Sequence, residues 1–289
     1  MSGLLGEASP ARFLGSRSEE VMKAIFNGDL IDSKDAVVPV TSRAVQCNFS
    51  VYEALRVIGG HVVGLDAHMQ RLSQSASMIG LKLTFPVQEI ASWVFRLLEA
   101  EGLEEATLRI LVIGEAPNLC FITATKMLSY PDSYYTEGVK ATVYDGERFL
   151  PKCKTSNLLL SYLALEDSKA QGGFEAILRN RDGLLLEGTR SNFYVYQDNV
   201  IRTAGLDHVL DGVTRQSVFR ACSILGWPII EKPVSLQEAF QAQGAFISST
   251  SMAAMPLASL GEKVFEKDFS RTLRICSMIR AWEQEERTK

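Results

Sequence analysis

The chain has 289 residues, 46% of them hydrophobic, with 30 Lys and Arg against 34 Asp and Glu for a net charge of -4. That is ample apolar material for one large domain or two moderate ones, and the balance excludes a broad basic field for nucleic acid or a Lys/Arg run for a membrane surface. No stretch reaches the roughly 20 apolar residues of a membrane helix, and the five cysteines, odd in number and without a CxxC, imply neither a disulfide framework nor a zinc site.

In chain order, MSGLLGEASPARFLGSRSEE lacks the apolar stretch of a signal peptide, so a soluble, cytoplasmic protein in a reducing compartment is expected, acting on a small molecule. The glycosylation triplet Asn48-Phe49-Ser50 is then a coincidence. AIFNGDLI and ALRVIGGHVVGL place Asn27-Gly28 and Gly59-Gly60 between apolar runs and predict two β-hairpins, with QCNFSVYE between them. Asp66 is placed to cap a helix whose apolar positions are Leu65, Met69, Leu72, Ala76 and Ile79, with Arg71 outside that stripe. VQEIASWVFRLLEAEG reads as a second amphipathic helix closed by Gly102, and TLRILVIG and NLCFITATK as strands joined by GEAPN.

MLSYPDSYYTEGV has no clear period and reads as a linker, so a small N-terminal α/β domain is expected over residues 1–130 and a larger, strand-rich C-terminal α/β domain over 131–289. The second unit begins with the strand VKATVYD and a helix after Asn157. Strands FEAILRN and LLLEG follow around an Arg181-Asp182-Gly183 turn, then the hairpin SNFYVYQDNVIRT. A helix from Thr214 to about Leu225 ends at Gly226; PIIEKPV, a short helix from Ser235 and the strand GAFISS complete the domain. The last twenty residues form a charged amphipathic helix, and the fold class is α+β.

Chemistry is concentrated in PKCKTSNLLLSYLAL and LLLEGTRSNFYVY. Lys154 offers an amine between a Pro-containing extended stretch and an apolar helix, and Glu187 a carboxylate at the end of three leucines. A lone Lys is ordinarily a solvated charge. An amine able to form a Schiff base, with a carboxylate able to keep a pyridine nitrogen protonated, looks like a pyridoxal-phosphate site. Two places suit an anion. LDGVTR sets Val213 and Thr214 at a helix start, where backbone N–H groups are free, and FISSTSMAAMP carries Ser248, Ser249, Thr250 and Ser251; a plain N-cap and a polar loop are the alternatives.

The order of Arg71 in DAHMQRL, Lys154 in KTSNLL, Glu187 in LLLEGTRSNFYVY, Thr214 in LDGVTR and Thr250 in FISSTSMAAMP resembles the fold-type IV (class IV) pyridoxal-phosphate aminotransferases, over about Ile25 to Phe265. That family includes branched-chain and D-amino acid aminotransferases, (R)-selective amine transaminases and aminodeoxychorismate lyase. The resemblance implies a two-domain homodimer with pyridoxal 5'-phosphate in the cleft between domains and amino acid and 2-oxo acid substrates. It implies that Lys154 holds the cofactor as an aldimine and moves the substrate proton, and that Glu187 pairs with the pyridine nitrogen. Arg71, the N–H groups of Val213 and Thr214, the Thr214 hydroxyl, Ser249 and Thr250 then clamp the phosphate. Tyr52 in VYEALR matches a position beside the aldimine, where it orients the cofactor or binds substrate. Arg56 and Arg109 match arginines that line substrate pockets in branched-chain members, and Ser251 joins them on the substrate side.

Two departures stand out. A stretch similar to QFGDGVYE in the family is QCNFSVYE here, with no glycine, so a changed loop and an unusual substrate are expected. SMAAMPL has a lyase-like MPL ending, whereas VYEALR is closer to the transaminases. Transamination is the expected reaction; pyruvate elimination from aminodeoxychorismate and a catalytically silent protein that kept the pocket are the alternatives.

Overall fold

The computed structural model describes residues 22–288, so the signal-peptide reading of the first twenty residues lies outside the described part. A six-stranded antiparallel sheet contains β1 (Lys23–Phe26), β2 (Asp29–Asp32), β3 (Ser50–Ile58), β4 (His61–Val62), β5 (Glu105–Ile113) and β6 (Leu119–Thr125), in the order β2-β1-β6-β5-β3-β4. Both expected hairpins are present. Asn27 and Gly28 adopt φ of 48° and 91°, and Gly59 and Gly60 54° and 73°, the left-handed pairs that match the twist of a two-residue hairpin.

Helix α1 (Arg43–Gln46) precedes β3, while α2 (Leu65–Met78) and α3 (Val87–Glu101) pack on one face of the sheet. Leu72 and Leu97 meet Ile25, Leu55, Leu108 and Ile110 there, all buried. Gly102 closes α3 in the left-handed conformation, as expected. The cap of α2 is a correction: Gly64, left-handed at φ 60°, occupies the N-cap, and Asp66 sits inside the first turn. There its charge complements the helix dipole but no longer caps. The glycine-free QCNFSVYE turns at Asn48, which takes φ 51°; asparagine is one of the few residues other than glycine that visit this region readily.

The second sheet comprises β7 (Val139–Asp145), β8 (Glu175–Arg179), β9 (Leu184–Gly188), β10 (Asn192–Gln197), β11 (Val200–Thr203), β12 (Ile229–Glu231), β13 (Val234–Ser235), β14 (Gly244–Ser249), β15 (Ala253–Leu260) and β16 (Lys263–Val264). Its order is β12-β11-β10-β14-β15-β7-β8-β9-β13, with β16 on β15, so the molecule has the expected α+β, two-domain architecture. Around it lie α4 (Ser133–Thr136), α5 (Leu159–Ala170), α6 (Val213–Leu225), α7 (Leu236–Gln241) and α8 (Ser270–Arg287). Strand β15 escapes the sequence reading although it is central, pairing with β14 antiparallel and β7 parallel. Pro256 argues against an interior strand, and the apolar run from Ala253 to Ala258 lacks the alternation that marks one.

The stretch read as a linker is packed. Tyr130 and Tyr135 lie against the core of the second sheet, Tyr135 donates to the Met252 carbonyl at 3.1 Å, and Ser133–Thr136 is the helical turn α4.

Candidate active site

Alternation along β3 builds one wall. Val51, Glu53, Leu55 and Val57 point into the helix-covered core, which leaves Tyr52, Ala54 and Arg56 on the opposite face. On β5, Arg109 pairs with Ala54 and Thr107 with Arg56, so the same face continues across the sheet. These side chains line a cavity of about 360 Å³ between the two sheets, together with Arg71, Lys154, Glu187, Val213, Thr214, Ser249, Thr250 and Ser251. The structure thus brings every residue singled out from the sequence to one place.

Lys154 is anchored by its backbone to the first domain. Its carbonyl accepts from Tyr52 N at 3.0 Å, its N–H donates to Ser75 Oγ at 3.0 Å, and Thr155 bridges Val51. The side chain then crosses the Tyr52 ring, with Nζ 4.7 Å from its centroid. Burial pushes the Lys154 pKa down; the Tyr52 hydroxyl and Glu53 oppose this, while the charges of Arg71 and Arg148 reinforce it. The result is an amine biased toward its neutral, proton-accepting form.

Glu187, at the end of β9, is 5% exposed. One carboxylate oxygen accepts from Leu210 N at 3.2 Å. The other lies 3.1 Å from Arg148 Nε but off hydrogen-bond geometry, and both atoms are buried without a hydrogen-bond partner. Burial raises the Glu187 pKa, against the pull of Arg148 and the Leu210 N–H. A buried carboxylate oxygen with no donor, facing a cavity, has the chemistry to receive a protonated ring nitrogen. Residues here fit a pyridoxal-type cofactor on that ground.

At the other end, Arg71 is held by Glu53, donating from Nε at 2.8 Å and Nη2 at 2.7 Å, and its Nη1 donates to the Asp211 carbonyl at 3.1 Å. His68 Nδ1 completes the cluster 2.7 Å from Glu53. Burial alone would raise the Glu53 pKa; Arg71 and His68 overcome it and hold it at about 2. Arg71 is therefore no solvated helix residue, and it lines the cavity together with Val213 and Thr214. Helix α6 begins there without a side-chain cap, leaving its first N–H groups for an anion. Its N-cap must be Gly212, because a Cβ would run into Asn192 Oδ1. In the hydroxyl loop, Ser248 is spent on Tyr194 at 3.1 Å, while Ser249 and Ser251 lie 3.3 Å apart at the cavity.

Arg109 lies over the Tyr52 ring, its Cζ 4.4 Å from the centroid. Of the arginines lining the cavity, Arg71, Arg148, Arg190 and Arg56 each have a carboxylate in ion-pair range; Arg109 has none among the described residues. Sequence reasoning misses Glu53, His68 and Arg148. Glu53 carries a signal, a charge in the buried phase of an otherwise apolar strand, and His68 stands three residues before Arg71. Arg148 lies in a loop without periodicity, where nothing marks it. There it donates to the Cys153 carbonyl at 3.1 Å and to the Pro151 carbonyl, bracing the turn that carries Lys154.

Comparison with known proteins identifies the family. A model of the family described as amino-transferase class IV matches residues 50–260. D-alanine aminotransferase of Bacillus licheniformis is 35% identical over 252 residues, covering 83% of this chain and 88% of the relative. The crystal structure of a branched-chain aminotransferase from Thermoproteus uzoniensis with norvaline superposes with a TM-score of 0.84 at 27% identity, over 92% of this chain and 95% of that one. A branched-chain amino acid aminotransferase from T.th., solved with pyridoxamine 5'-phosphate, shares the fold at 20% identity and a TM-score of 0.86, with 92% and 95% covered. The chain belongs to the class IV aminotransferase family of fold-type IV pyridoxal-phosphate enzymes.

Proposed function

We propose that this aminotransferase binds the amino acid and 2-oxo acid carboxylate on Arg109, with the reacting amine between Tyr52 and Lys154. The observation that carries the reading is the shared Tyr52 ring, with the Arg109 guanidinium, which has no carboxylate partner among the described residues, 4.4 Å and Lys154 Nζ 4.7 Å from its centroid. Pyridoxal phosphate, when bound, supplies a carbonyl carbon that accepts the amino group and a ring that withdraws electrons from the substrate's α-carbon. Glu187 would hold the proton on the ring nitrogen, with its unpaired Oε1 as acceptor. Arg71, the first N–H groups of α6, the Thr214 hydroxyl, Ser249 and Thr250 would bind the phosphate. Lys154 Nζ would carry the proton from the substrate α-carbon to the carbon that the cofactor supplies, and back again when a 2-oxo acid is the substrate, a task suited to an amine whose pKa is depressed. The relatives above are named aminotransferases, and the lyase and silent readings find no support among them.

Single-turnover mixing of the holoenzyme with D- and L-alanine and D- and L-valine, with the 2-oxo acid quantified, tests the reading and fixes the preferred hand. For the preferred substrate, Arg109→Met is expected to lower kcat/KM on the order of 10- to 100-fold, mostly through KM, since it removes charged hydrogen bonds made already in the ground state. An unchanged KM would place the carboxylate elsewhere.

We further infer a homodimer divided near residues 130 and 131 into two domains per chain. In support, Leu159 and Tyr162 on α5, just after the cavity-lining Leu158, are 67% and 62% exposed, and Phe149 in the loop before it is 74% exposed. Light scattering should give twice the 31.9 kDa chain mass; a monomer that turns over would overturn this. All five cysteines are free, which supports a cytoplasmic, reducing location.

A further inference from the structure

Helix α8 belongs to the core of the second domain through Ile275 and Ile279, yet one turn later it reaches the mouth of the cavity. Arg280 Nη2 donates to the carbonyl of Ser251 at 2.7 Å, and its Nη1 donates to both oxygens of Glu283, at 2.9 and 2.7 Å. Glu283 in turn places Oε2 3.7 Å from Arg56 Nε, with side chains only 8% and 13% exposed. Arg56 is further tethered by a long Nη1 bond to the Leu128 carbonyl, at 3.4 Å. Ser251, Leu128 and Arg56 all line the cavity. A carboxylate more than two hundred residues away in sequence therefore stands behind one of the two arginines on the substrate side, while Arg109 has none among the described residues.

We propose that Glu283 is a specificity-determining residue: it offsets the charge of Arg56 so that the cavity offers one strong carboxylate receptor, Arg109, and favours amino acids whose side chain carries no second carboxylate. Shielded from water, a carboxylate this close to a guanidinium is little weakened by salt, and it competes directly with any anion the substrate brings. Without it, Arg56 and Arg280 form a pair of uncompensated cations at the mouth, the arrangement that a second substrate carboxylate would bridge. The inference rests on the reading of this cavity as the amino and oxo acid site.

The test is calorimetric binding of glutarate, a dianion, and butyrate, a monoanion of similar length, to the holoenzyme. The near-isosteric Glu283→Gln is expected to raise the ratio of glutarate to butyrate affinity about tenfold, the size of one added charged contact, with butyrate binding unmoved. Arg280→Met leaves Glu283 to Arg56 alone, and the ratio should fall. Opposite signs are what a general loosening of α8 cannot produce. A ratio unmoved in Glu283→Gln, or moved in one direction by both variants, overturns the proposal; should Glu283→Gln fail to fold, a ratio that does not fall in Arg280→Met does the same. If both ligands bind the unaltered holoenzyme and only the ratio fails to respond, the carboxylate site stands and the role of Glu283 falls. If neither ligand binds, both fall.

Discussion

Lys154→Ala is expected to keep the fold and lose turnover by on the order of 10,000-fold or more, because one side chain supplies both the nucleophilic amine and the proton carrier. The backbone contacts that hold this position, to Tyr52 N and Ser75 Oγ, are independent of the side chain and survive in the variant. Removing an amine that burial already disfavours in its charged form also relieves a desolvation cost, so thermal unfolding should not shift downward. Two measurements separate a functional from a structural loss. Borohydride reduction of the unaltered holoenzyme followed by peptide mass spectrometry should place the cofactor on Lys154, and the variant should carry no label. Turnover near that of the unaltered enzyme, or a label on another lysine, would remove Lys154 from its assigned role.

How much of this site is legible in the sequence depends on whether each residue's signal is local. The hairpins at Asn27-Gly28 and Gly59-Gly60 follow from turn chemistry alone, and Gly102 and Gly226 end their helices for the same backbone reason. Lys154, Glu187 and the hydroxyl loop emerge from motif order at element boundaries with distinctive flanks, and Arg71, in the middle of α2, from motif order alone. Glu53 stands out as a charge in the buried phase of β3, but its role stays unreadable until α2 places Arg71 and His68 against it, partners eighteen and fifteen residues away. Asp66 reads as a cap because sequence cannot show that Gly64 takes the left-handed conformation first. Arg148 has no periodic context, and Glu283 acts across the longest separation in the site. Both are contacts of tertiary structure, to which residue spacing is blind.

Glu187→Gln should have opposite effects on rate and on the stability of the cofactor-free protein. Gln is nearly isosteric, and its amide oxygen can keep the bond from Leu210 N that Oε2 accepts. That choice points its NH2 toward Arg148 Nε and the cavity, where Glu187 presented an acceptor. A ring nitrogen facing a donor does not retain its proton, electron withdrawal weakens, and turnover should fall about 100-fold or more if the lost charge pairing is worth several kcal/mol. For stability the sign runs the other way. Burial raises the folded-state pKa of Glu187 above the ordinary value of 4.5, so between 4.5 and the raised pKa the folded chain binds more protons than the unfolded one. Stability of the cofactor-free protein therefore declines as pH rises through that window, and above it the full cost of the buried charge is present. Gln carries no such cost. Thermal unfolding of the cofactor-free variant at about pH 8, well above the ordinary carboxylate range, should lie at or above that of the unaltered protein, with a flatter pH dependence. A residue kept only to hold the fold predicts the reverse, a variant that is less stable and turns over normally, and that pairing of results would move Glu187 from the chemistry to the scaffold.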